Sequence, residues 1–224
     1  MARQKIKRKD LLKSPDEFLT LTERALNFVR DRARYFHFAG IAVAAVALVY
    51  IGVTTYLNYV DQKAQDAYFT AYSEVREEKA ELEKAEELFK KVAKEYRFSS
   101  VSKLVAPQIG YLKYGEKKYD EALAFYKTFV NQFSEGSPYH SLATLALAAV
   151  HEQKGEPDKG IDLLRDLSSI PGNVFMEQTL LSLGRLYQLT DQHEKAREIY
   201  KDFTGRFATS PFMAQVKAYL NQPS

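Results

Sequence analysis

Residues Tyr35 to Val60 form a run of twenty-six positions without Asp, Glu, Lys or Arg, and this run limits what the chain can fold into more than any other feature. Its apolar centre, Phe38 to Leu57, matches the ~20 residues that a helix needs to cross a hydrocarbon core at about 1.5 Å per residue. Nine of those twenty residues are Phe, Ile, Val or Leu, contributing roughly −3 to −5 kcal/mol on an insertion scale. Tyr35 and Phe36 at one end, and Tyr50, Tyr56 and Tyr59 at the other, suit interfacial belts in which an aromatic ring keeps its polar edge wet. The competing reading is a core helix of a soluble protein, but such helices rarely stay uncharged for this long.

The flanks set an orientation. Residues 1–34 carry ten cations against five carboxylates, whereas residues 61–224 carry 22 cations and 24 carboxylates. The modest overall charge of +3 therefore hides a basic head and a slightly acidic tail. By the positive-inside rule the head is expected in the cytoplasm and the tail is expected to be exported to the far side of the membrane. The apolar run exceeds that of a cleaved signal peptide, so the span is expected to be retained. The chain has no cysteine, which excludes disulfides, thiolate metal sites, thiol catalysis and a lipidated thiol.

Four segments follow: a basic N-terminus (1–13), a juxtamembrane helix (14–34), the span (35–60) and a helical domain (61–224). In the second, Ser14, Pro15 and Glu17 read as N-cap, first-turn proline and capping-box partner. Phe18, Leu21, Ala25 and Phe28 recur at helical spacing, so this helix is expected to lie on anionic lipid with Arg24 and Arg30 to Arg34 among the headgroups. Beside a membrane span, topology and lipid account for the basic head, and nucleic acid is not an expected partner. Within the span, Gly40, Ala44 and Ala47 form a small-residue stripe suited to another transmembrane helix.

The tail repeats with a period near thirty-seven residues. Small residues recur in a first helix at Ser73, Gly110, Ala148 and Gly184, and in a second at Ala85, Ala122, Gly160 and Ala196. Large residues follow at Phe89, Tyr126, Leu164 and Tyr200, then at Val92, Phe129, Leu167 and Phe203. This is the spacing of tetratricopeptide repeats, in which small residues let two helices approach and large ones fill the gap beyond. One such hairpin cannot bury its own apolar face, so the expected fold is all-α: a transmembrane helix followed by a stacked solenoid of about four repeats. Pro211 to Leu220 reads as a capping helix, with Phe212, Val216 and Leu220 on one face. Between Lys79 and Lys84 no Gly or Pro enforces a turn, so the first repeat is expected to merge with the membrane helix.

Phe18 to Val29 before the span, the single anchor, and Lys117-Lys118-Tyr119-Asp120-Glu121-Ala122-Leu123 in the second repeat give the chain a resemblance to the YfgM-like family, ancillary subunits of the bacterial Sec translocon. The resemblance implies a periplasm-facing domain that associates with the translocon and with periplasmic chaperones and assists exported proteins. The alternative is a scaffold subunit of another envelope complex, such as a secretion, respiratory or division assembly.

In the repeat frame the inner surface is lined by each first helix. The candidate groove residues are Thr70, Glu74 and Glu77; Pro107, Tyr111 and Tyr114; Leu145, Ala149 and Glu152; and Leu181, Arg185 and Gln188. A surface of tyrosines and aliphatics suits loose binding of extended chains, because rigid aromatics supply contact area at little entropic cost. Packing against neighbouring helices is the plainer role for several of them. The charge run Glu74 to Glu95 is expected to be a solvated face threaded by Leu82, Ala85, Phe89 and Val92. An enzyme is not expected, nor a cofactor or metal: the four histidines are scattered, and neither His151-Glu152 nor His193-Glu194 is followed by the second histidine of a zinc-protease helix.

Overall fold

A computed structural model describes residues 17–76 and 82–221. The caps Ser14 and Pro15, and the side chains of Phe18, Leu21 and Ala25, lie outside what it describes, as does Glu77. The described residues are helical throughout, without strands, and the chain divides into two compact units, Met1–Asn58 and Tyr59–Ser224.

In the first unit, α1 (Glu17–Asp31) ends at Arg32, whose guanidinium stacks 4.2 Å from the centre of the Phe28 ring. Helix α2 (Ala33–Arg76) then runs for 44 residues without interruption. It is long and apolar enough to cross a membrane. The apolar side chains are turned outward, as Ile41, Val46 and Leu48 show. The Thr54 hydroxyl, a polar group within the apolar stretch, donates back to the Tyr50 carbonyl at 2.9 Å, satisfying itself without water. Gly40, Ala44 and Ala47 are exposed, and among the described residues nothing beyond the helix's own backbone stands within 4 Å of a Cβ built on Gly40.

The second unit is a stack of helix pairs. Side chains from the last turns of α2 pack on α3 (Leu82–Glu95), and three closely packed pairs follow: α4 (Val105–Gly115) with α5 (Tyr119–Val130), α6 (Pro138–Gln153) with α7 (Pro157–Ser168), and α8 (Met176–Leu189) with α9 (His193–Arg206). A 3-10 turn over Ser100–Leu104 leads into α4. The final helix, α10 (Met213–Leu220), caps the stack by burying Val216, and Arg197 of α9 donates to the Leu220 carbonyl at 2.8 Å. All twelve second-helix column residues are buried. As expected from the sequence, the first helix of the first repeat and the apolar run belong to one continuous helix, α2.

The first-helix column holds in three repeats and fails in one. Gly110, Ala148 and Gly184 are buried, but Ser73 is exposed and its hydroxyl donates back to the Thr70 carbonyl at 2.8 Å. The fully buried Ala71 takes its place, packed with Ala85 and Phe89. The link to α3 is thus two residues longer than in the other repeats.

Each of the later hairpins turns on one residue of positive φ: Lys117 (61°), Gly155 (82°) and Asp191 (58°). The next amide reaches back to close the helix, as when Glu156 N donates to the His151 carbonyl at 2.8 Å, the six-to-one bond of a Schellman end. Nothing lies within 4 Å of a Cβ at Gly155, so Gly155→Ala meets backbone strain alone and should lower stability by about 1 kcal/mol. An unchanged urea midpoint would contradict that conformation.

At the joint between α5 and α6, Ser137 caps α6 by accepting from His140 N, and Pro138 opens the helix. Tyr139 packs on Phe133 and Phe129 at 4.8 and 6.1 Å between ring centres. Ion pairs tie the repeats together: Glu86 to Lys113 at 2.6 Å, Asp120 to Lys154 at 2.5 Å, and Glu152 to Arg185.

Candidate functional site

The first helices contribute side chains to two separate hollows. Toward the start of the stack, α2, α4 and α6 enclose a groove of about 380 Å³ whose walls include Tyr68, Pro107, Gln108, Tyr111, Tyr139 and Leu142, with no charged residue in its lining among the described residues. Tyr68 is held by Phe89, edge-on at 5.4 Å between ring centres, and by a hydrogen bond with Gln108. Tyr72 stacks parallel to it at 6.4 Å. Tyr126 forms the floor; burial, reinforced by Tyr111 and Tyr114, pushes its hydroxyl up to about 12. Tyr111 remains 58% exposed although no partner covers it, the kind of rigid aromatic that offers contact area with few rotors to freeze.

Toward the far end, Leu181, Arg185 and Gln188 share a second hollow of about 430 Å³ with Phe212, Val216 and Tyr219. Gln188 donates to the Tyr200 hydroxyl at 2.8 Å, and burial together with Tyr219 pushes that hydroxyl up to about 12. Arg185 grips the Glu152 carboxylate with both terminal nitrogens, so its charge is already answered by the neighbouring repeat.

Of the sequence-predicted groove residues, Pro107 and Tyr111 meet in the first hollow and Leu181, Arg185 and Gln188 in the second. Tyr114 turns against Tyr119, with ring centres 6.0 Å apart. Leu145 and Ala149 are half-buried, Leu145 packing on the C-terminal core. Thr70 and Glu74 do not line either hollow. Thr70 is exposed, its hydroxyl bonded to the Asp66 carbonyl, and Glu74 pairs with Lys84 of α3 at 2.9 Å. Counting from Ala71 instead of Ser73, the matching positions are Tyr68 and Tyr72, which sequence reasoning missed. The signal was available in the alternation of Ala64, Ala67, Tyr68, Ala71 and Val75, spaced as one helix face.

The charge run also holds more than a solvated face. Glu86 and Lys113 are 8% and 6% exposed and form a buried pair between α3 and α4. Among the described residues, no three His, Asp or Glu gather so as to hold a metal ion.

Comparison with known proteins gives one family and one fold. The family of tetratricopeptide repeat-like domains matches residues 33–219, a range that takes in the apolar helix as well as the stack. No curated protein matches. Eight solved chains do. Among them is the crystal structure of a tetratricopeptide repeat protein from Parabacteroides merdae, 18% identical, with a TM-score of 0.58 over 71% of this chain. The match covers 59% of that protein's length, and at this identity it bears on fold alone. Domains of this type generally bind proteins and typically serve as scaffolds. With the second-helix columns buried, the hairpin turns repeated and the family matched across most of its length, the chain belongs to the tetratricopeptide repeat-like domain family.

Proposed function

We propose that this protein is an inner-membrane-anchored interaction module, with residues 1–34 in the cytoplasm, residues 35–60 across the bilayer and the solenoid in the periplasm. There it holds extended segments of exported proteins, or periplasmic chaperones, close to the Sec translocon. The observation that carries this reading is the uncharged, tyrosine-lined groove built partly on α2, the helix that also contains the apolar run. A binding surface on the anchor helix itself lies within a short distance of the membrane, where an exported chain emerges unfolded. Its aromatic, uncharged walls favour apolar stretches of a client over charged ones. The charge asymmetry of the flanks supports the orientation, and the basic head suits anionic lipid.

Photo-crosslinking amino acids placed at Tyr111 and Arg185 in living cells test the reading. Translocon subunits or exported chains should be captured from Tyr111, with fewer from Arg185, whose side chain is engaged by Glu152. Recovery of neither class would sink the proposal. Stoichiometric copurification with one folded envelope complex would instead favour a fixed scaffold subunit.

A further inference from the structure

The turn between α3 and the 3-10 helix carries Phe98, which at 76% exposure is the most exposed large apolar side chain among the described residues. Among the described residues, nothing in the tail covers it. The Arg97 guanidinium lies over its ring at 4.5 Å, pairing an apolar face with a cation. The turn is not free to wander. Asp61 Oδ1 accepts from the Ser99 hydroxyl at 2.5 Å and from Ser100 N at 3.0 Å, while Ser99 N donates to the Tyr96 carbonyl at 2.8 Å.

Asp61 is a special anchor point, because it is the first charged residue after the uncharged run that ends at Val60. One residue of helix rises only about 1.5 Å. If the run spans a bilayer, Asp61 sits at its surface, and the turn bonded to Asp61 sits there too. Around the turn, Lys63, Lys94, Arg97 and Lys103 are all exposed. Of the nearby carboxylates, Asp61 is occupied by the serines, and Asp66 and Glu95 are exposed, leaving the four cations in excess. An exposed aromatic flanked by cations at that height has the chemistry of an interfacial anchor: the ring enters the headgroup boundary while the cations meet lipid phosphates.

We infer that the Arg97–Phe98 turn is a second membrane contact, inserting Phe98 into the lipid interface and holding the base of the solenoid against the bilayer surface. The inference rests on the reading of Tyr35 to Val60 as a span. Its partner is a lipid surface, favoured over a protein because the turn is pinned beside the end of the apolar run.

The chain contains no tryptophan, so a single introduced indole reports on its own surroundings. The full-length protein would be reconstituted into phosphatidylcholine vesicles containing a minority of anionic lipid, with and without phosphatidylcholine brominated near the glycerol end of its acyl chains. Three single-tryptophan proteins are compared: Phe98→Trp, Tyr56→Trp as a marker of the span, and Phe212→Trp as an exposed site at the far end of the stack. The expected result is blue-shifted emission from Phe98→Trp and loss of roughly half or more of its intensity to bromolipid, with Phe212→Trp unaffected. Adding Arg97→Glu to Phe98→Trp should reduce that quenching. If Phe98→Trp is as wet and unquenched as Phe212→Trp while Tyr56→Trp is quenched, the inference is wrong and the span stands; Phe98 is then left for a protein partner. If Tyr56→Trp is unquenched as well, both the span and the inference fall.

Discussion

Replacing Gly184 with valine should destabilise the C-terminal repeat by about 3 kcal/mol, the upper end of what overpacking a core costs. A Cβ at Gly184 would stand 2.6 and 2.7 Å from two atoms of the Tyr200 ring, closer than real contacts allow. The ring cannot easily yield: Tyr200 is 6% exposed, lies edge-on to Tyr219 at 5.1 Å and has its hydroxyl bonded by Gln188. The other repeats show how the fold solves the same crossing. Gly110 lies under Tyr126, again glycine with tyrosine, whereas the third repeat has Ala148 in the first-helix column and Leu164 as the large residue. Gly184→Ala combined with Tyr200→Leu should therefore recover much of what the two single substitutions lose, with a coupling of about 1–2 kcal/mol. Gly205→Ala, in α9 with nothing within 4 Å, serves as the contrast, gaining up to about 1 kcal/mol of helix propensity. Urea midpoints followed by the helical circular dichroism of the detergent-solubilised protein measure all five variants. Strict additivity of the pair would mean that the close approach is not what limits the crossing.

The second-helix columns could be read from the sequence because each position has one demand, burial at fixed spacing, and only small or large apolar residues meet it. The register of the first repeat could not. Ser73 lies twelve residues before Ala85, as Gly184 lies twelve before Ala196, and a serine fits a small-residue column as well as it fits solvent. Only packing separates these, and the longer link to α3 shifted the true position to Ala71. That shift carried the groove reading from Tyr68 and Tyr72 to Thr70 and Glu74. The uncharged hollow itself was half visible, since Pro107 and Tyr111 are first-helix residues, but its other walls come from Leu142 and Tyr139 one repeat on. Phe98 gave no signal at all: its neighbourhood is defined by Asp61, thirty-eight residues before the serine it binds.

Removing the Glu86 carboxylate should destabilise the protein by about 2–3 kcal/mol. Stripping one partner from a buried ion pair generally costs ~3–5 kcal/mol because the other charge is left stranded. Here Lys113 keeps Glu116 at 3.3 Å, which softens the loss. The pair as a whole is not expected to be worth that much, because desolvating both groups offsets their attraction. Glu86→Leu with Lys113→Met should accordingly be near neutral or stabilising, although Glu86→Ala alone is costly. Acid separates this pair from ordinary packing. Burial by itself would raise the Glu86 carboxyl, but hydrogen bonds from the Lys113 and Lys90 ammoniums outweigh it and hold the group below its usual value. A carboxyl depressed by folding contributes its stability in full above the unfolded value of about 4.3 and loses it as the pH falls through the folded value. Glu116, lowered chiefly by Lys118, and Glu156, lowered to about 2 by Lys159 and His151, add to the same acid slope. The diagnostic quantity is therefore the difference between the native protein and Glu86→Gln, which shares every other carboxylate. That difference in urea midpoint should be largest near neutrality and shrink steadily as the pH falls below the unfolded value of about 4.3 toward the lowered folded value. A gap that stays constant across that range would show that Glu86 contributes through its shape and not through its charge.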